Sequence, residues 1–175
     1  MKGSTHILLS VLTGLVILAP VAGLIHWSWS VIILLGIFFG SIAPDVDKGR
    51  DSAIFHSSIP GAKGRRFFLT PVIGYFIYIF CYKPLSIIFL GIFGRKILPK
   101  QGHRELPHSP IGIICMSVLL TLWLWIFCYA LSYIPYLEFL RNNTLIWVFG
   151  AAFLIGCFLH LLEDTCDNSG IHYLY

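Results

Sequence analysis

Apolar residues gather in five long runs along the chain, at 7–25, 27–43, 67–93, 111–134 and 145–162, with short polar stretches between them. Each run lies near the ~20 residues that a helix needs to cross ~30 Å of hydrocarbon. The pattern predicts an all-α, polytopic membrane bundle that forms one domain over residues 1–175. The first run is too long for a signal peptide and meets no small-residue cleavage site, so it is expected to stay as a span. The run at 67–93 is harder to place, because Tyr82-Lys83-Pro84 interrupts it. Proline removes a backbone hydrogen bond, and a lysine is costly in mid-membrane.

Composition supports a membrane setting. Hydrophobic residues make up 57% of the chain and charged ones only 11%, which excludes an ordinary soluble domain. The formal charge of +4 brings no nucleic acid into view, because its distribution follows membrane topology. The five cysteines form no C-x-x-C pair and imply no disulfide framework.

Charge placement decides between topologies. If residues 67–93 crossed once, strongly basic loops would lie on both sides of the membrane. If they form a re-entrant or interfacial helix pair, every basic residue except Arg141 falls on the N-terminal side, with only Lys83 unassigned. The positive-inside rule then makes that side cytoplasmic. The expected architecture is therefore about four full transmembrane helices plus a re-entrant or interfacial pair between the second and third.

That topology brings scattered chemistry to one face. His160 and Asp164 close the last span one helical turn apart, so an imidazole and a carboxylate aim at one point. The second span stops at Pro44, and Asp45-Val46-Asp47 follows it. A chain leaving the helix in extended form would point both carboxylates the same way, which suits a divalent cation. His6 stands at the start of the first span. The stretch Gly102-His103-Arg104-Glu105-Leu106-Pro107-His108-Ser109 offers two imidazoles and a guanidinium ahead of the third full span, and arginine suits phosphate recognition. His56, in the polar loop, is open between a ligand and an ordinary loop histidine.

These four segments together resemble the membrane-bound metal-dependent hydrolase family, the YdjM-like proteins known partly as LexA-regulated. The family pattern is a His opening the first span, here His6, and Pro-Asp-x-Asp after the second, here Pro44 to Asp47. A Gly-His-Arg-Gly-x-Thr-His-Ser loop follows, here 102–109, and then His-x-x-x-Asp ahead of a glycine, here His160, Asp164 and Gly170. The chain departs from the pattern at Lys48, Glu105, Pro107 and Asp167-Asn168, changes that spare the candidate ligands and bear on substrate specificity. The family is in turn distantly similar to zinc-dependent phospholipase C and the single-strand nucleases.

The resemblance implies a membrane-embedded hydrolase that cleaves a phosphoester, a lipid phosphate or phospholipid head group, by metal-activated water at the cytoplasmic face of the inner membrane. The expected metal ligands are His6, Asp45, Asp47, His108, His160 and Asp164, holding one or two divalent ions, zinc before others. Asp47 also counts among the expected catalytic residues, with Arg104 on the phosphate and His103 as orienter or proton donor. A membrane lipid is the expected partner, as substrate, and no nucleic acid is expected. Two other readings stay open: a metal-binding transporter, and a non-catalytic membrane protein with a structural metal.

Overall fold

The computed structural model describes residues 3–51, 69–93 and 106–166, with side chains over 7–47, 72–92 and 106–166. Helix α1 (Gly3–Leu18) runs into a 3-10 turn, Ala19–Val21, and α2 (Trp27–Ile42) into another, Pro44–Asp51. Next come α3 (Leu69–Ile77), a π turn (Tyr78–Tyr82) and α4 (Lys83–Phe93). A 3-10 turn (Leu106–His108) leads into α5 (Pro110–Leu131), and a fourth (Glu138–Arg141) into α6 (Asn143–Thr165). The described residues contain no strand, as the run pattern predicts.

Local sequence starts α2 and α6. His26, which the sequence left without a task, caps α2 by accepting from the Ser28 N–H at 3.4 Å. Asn142 caps α6 through Thr144 N–H, at 3.1 Å. These caps satisfy donors that the first helical turn leaves without intrahelical partners.

Among the described residues, four stretches are long and apolar enough to cross a membrane: Trp27–Asp47, Val72–Ile92, Pro110–Leu131 and Asn143–Thr165. The apolar part of the first helix, Ile7–Val21, is shorter. The number agrees with the expectation, and by length and composition the third of the five runs is among the four.

The third run differs in detail too. Tyr82-Lys83-Pro84 does not turn the chain back, because α3 and α4 join through the π turn into one helical run, Leu69–Phe93. Lys83 N–H bonds to the Tyr78 carbonyl, five residues back, so the wider turn spends one residue just ahead of the proline. Pro84 has no N–H to offer the Phe80 carbonyl, and the indole N–H of Trp123 on α5 donates to it instead, at 3.1 Å. The Phe80 and Trp123 rings also meet edge to face, 5.2 Å between centroids. Trp123→Phe keeps that ring contact and removes the donor. It is expected to lower stability by about 1 kcal/mol, read as an earlier unfolding transition in detergent titration.

The bundle's closest seam lies between α2 and α6. A Cβ built on Gly36 would stand 2.7 Å from the Ala152 Cβ, and one on Gly40 would overlap the Phe153 carbonyl. Gly156 faces Gly40 across the seam, with the Gly40 Cα 3.0 Å from a Cβ at that position. Gly36-x-x-x-Gly40 therefore meets Ala152-x-x-x-Gly156, the small-residue arrangement that lets helix backbones touch in lipid. Around it lie the core residues Ile42, Ala43, Val46, Ile113, Met116, Phe153 and Cys157. The outer surface is apolar, with Val16, Val118, Phe127 and Trp147 all exposed, as a surface bathed in acyl chains should be.

Candidate metal centre

The seam decides where His160 sits. Gly40 lets α6 approach so closely that the His160 Nδ1–H donates to the carbonyl of the next residue, Ser41, at 2.7 Å. A proton held at Nδ1 leaves the Nε2 lone pair directed away from α2. Asp164, one turn on along α6, has Oδ2 3.7 Å from that Nε2.

His108 is placed by the entry to α5. Ser109 Oγ accepts the Gly112 N–H at 3.0 Å and donates to the Leu106 carbonyl at 2.8 Å, and Pro110 opens the helix. Gly112 is needed there, because a Cβ would overlap the Leu106 carbonyl. The resulting tight turn fixes the backbone on either side of His108.

Pro44 does follow the end of α2, but the chain enters a 3-10 turn and is not extended. The turn separates the two carboxylates around a single ring. Asp45 Oδ1 lies 3.6 Å from His108 Nε2, whereas Asp47 Oδ2 lies 3.2 Å from Nδ1 on the other edge. Asp47 thus sits behind the imidazole, where a carboxylate holds Nδ1–H and turns Nε2 toward Asp45.

The donors converge on one point. Asp45 Oδ1 is also 3.7 Å from His160 Nε2, and Asp164 Oδ2 is 3.9 Å from His108 Nε2. The two rings stand edge to face, 5.6 Å between centroids. One donor atom from each of Asp45, His108 and His160 lies within 4.8 Å of the others, and all three residues are buried. His160 is only 1% exposed.

Burying three carboxylates beside two imidazoles favours positive charge at their centre. Burial alone lowers the basicity of His108, but Asp45 and Asp47 outweigh it and raise its pKa to about 9. A divalent cation meets the same electrostatic demand. The donor set of two imidazole nitrogens and two carboxylate oxygens suits zinc, whose bonds to such ligands are ~2.0–2.2 Å. Ligands of one tetrahedral ion then stand roughly 3.3–3.6 Å apart, close to the separations seen here. The residues present fit a metal ion.

The structure therefore brings together Asp45, His108, His160 and Asp164, with Asp47 behind His108. His6 lies in α1 one turn before Ser10, and the Ser10 hydroxyl donates to Glu163 Oε1 at 2.8 Å, beside Asp164. Position 6 thus shares the face of α1 that meets the end of α6. His56, His103 and Arg104 lie outside the described residues. Sequence reasoning missed Ser41, Gly40, Gly156 and Ser10. The G-x-x-x-G at Gly36 and Gly40 was a readable signal for the seam.

A helical membrane protein with a buried imidazole and carboxylate cluster at one end of its bundle is the class that fold and site define. Within that class, the chain belongs to the YdjM inner membrane protein family, whose model matches residues 1–175. No curated protein and no solved structure matches it.

Proposed function

We propose that this inner membrane protein is a metal-dependent hydrolase that cleaves a phosphoester of a membrane lipid, with its site open to the cytoplasm. The observation that carries the reading is the buried convergence of Asp45, His108 and His160 within 4.8 Å. Its position at one end of the bundle supports a lipid substrate, whose head group would meet the site while its tails stay in the bilayer.

Asp45, His108, His160 and Asp164 would hold the ion, zinc before others, and His6 is a further candidate by its register on α1. A divalent ion supplies an acidified water near neutral pH and polarises a phosphoryl oxygen. Asp47 and the Ser41 carbonyl fix the two imidazoles so that both Nε2 atoms face the centre. Arg104 would bind the phosphate through its planar fork, and His103 would protonate the leaving oxygen. In the sequence, the basic residues other than Lys83 and Arg141 all lie before α1 or in the stretches from the turn after α2 to the turn before α5, which supports a cytoplasmic site by the positive-inside rule.

Purified protein offered lipid phosphates and phospholipids is expected to release inorganic phosphate or a phosphorylated head group. Dialysis against a chelator should abolish release, and added zinc should restore it. Metal flux into proteoliposomes with no hydrolysis of any of these lipids would overturn the reading in favour of transport.

A further inference from the structure

Three observations concern the continuous helix Leu69–Phe93. The first is parity. Asp45, after α2, and His108, before α5, lie 3.6 Å apart, so the chain leaves α2 and enters α5 at the same end of the bundle. If the helix between them crossed the bilayer once, one flanking stretch would have to cross back. Residues 52–68 include Lys63, Arg65 and Arg66, and residues 94–105 include Arg95, Lys96, Lys100 and Arg104. Hydrocarbon does not admit such sequences.

The second observation is Lys83. Ile77, Cys81 and Leu85 form the buried stripe of this helix. On the other side Val72, Ile79 and Ile87 are exposed, and Lys83 is exposed among them, its ammonium 5.5 Å from the Tyr78 ring centroid. Lys83 is ten residues from the nearer helix end, roughly 15 Å along the axis. A snorkelling lysine does not reach so far, so a crossing helix would leave the charge against acyl chains. The third observation is that the middle of this helix, the π turn, touches the Pro44–Asp51 turn at the site's end of the bundle. A helix crossing alongside the others would bring an end there.

We infer that Leu69–Phe93, although long and apolar enough to cross, lies obliquely in the interfacial layer of the leaflet on the site's side, with Lys83 among the phosphates of anionic lipid. Its inner face leans on α5 as far as Trp123, and both of its ends return to one aqueous side. Basic residues in the sequence on either side of it suit the same negatively charged surface. This placement puts lipid head groups next to the turn that carries Asp45 and Asp47, and it holds whether or not the site is hydrolytic.

The test uses full-length protein in vesicles of phosphatidylethanolamine and phosphatidylglycerol. Cys115, Cys128 and Cys166 are replaced by serine, and one of Val72→Cys, Lys83→Cys or Ile92→Cys is added. A fluorophore at each position should be quenched more by lipid spin-labelled at the head group than by lipid labelled at the acyl end. An impermeant thiol reagent should reach positions 72 and 92 from the same side, opposite to Arg141→Cys. Access to 72 and 92 from opposite sides, with 83 quenched best by the acyl-end label, would overturn the placement. In the wild-type background, Lys83→Gln should lower retained phosphatidylglycerol by about fivefold, the equivalent of one lysine at an anionic surface, while Lys83→Arg retains it. Unchanged retention in Lys83→Gln would overturn the head-group contact.

Discussion

Asp45→Asn combined with His160→Ala is expected to weaken divalent metal binding by more than about 100-fold, leaving purified protein without stoichiometric metal. His160→Ala removes a donor that faces the centre and Asp45→Asn removes the charge of another, whose Oδ1 lies between both imidazoles at 3.6 and 3.7 Å. Asparagine preserves the shape of the turn and avoids a cavity, so the loss reports on ligation. Asp47→Asn should behave differently. Asp47 touches His108 only on its Nδ1 edge, and loss of an orienting carboxylate costs about 10–100-fold in metal affinity. A graded pair of losses, severe for the double variant and intermediate for Asp47→Asn, separates holding from orienting. Equal losses would contradict the geometry.

Gly40→Leu is expected to lower the melting temperature sharply and to abolish metal retention as well. A Cβ at position 40 overlaps the Phe153 carbonyl and stands 2.9 Å from the Cys157 nitrogen. Both are backbone atoms of α6 that no rotamer change can move aside. Overpacking of this kind typically costs about 1–3 kcal/mol, and relief here requires α2 and α6 to separate. Separation would break the Ser41–His160 hydrogen bond and turn Nε2 out of place. Gly23→Ala and Gly91→Ala are the controls, since nothing lies within 4 Å of a Cβ at either position. Thermal unfolding in detergent and metal content of the same samples give the two readouts. A Gly40→Leu protein that melts and binds metal like the parent would contradict the account of the seam.

The spans were legible because lipid imposes a blunt rule, that backbone polar groups must be satisfied within the helix. Asp45, His108, His160 and Asp164 were legible because charge asymmetry placed their helix ends on one side. What the sequence did not disclose depends on partners distant in the chain. The helix at 69–93 runs through Pro84 because Trp123 supplies the donor that the proline lacks, and nothing near Pro84 announces it. The distinct position of Asp47 required knowing that Pro44 is followed by a 3-10 turn rather than an extended strand. The Ser41 contribution comes from a backbone carbonyl, which any residue type carries. Gly36 and Gly40 were readable, but only their partners Ala152 and Gly156 turn that signal into an orientation for His160.

X-ray absorption at the zinc edge of the purified, zinc-loaded protein probes the convergence itself. The account predicts a single tightly held ion with nitrogen and oxygen neighbours near ~2.0–2.1 Å, outer-shell scattering from two imidazoles, and the loss of that scattering in the Asp45→Asn, His160→Ala protein. A spectrum dominated by sulfur neighbours, or one without imidazole scattering, would place the ion elsewhere and contradict the assignment of Asp45, His108 and His160 as its ligands.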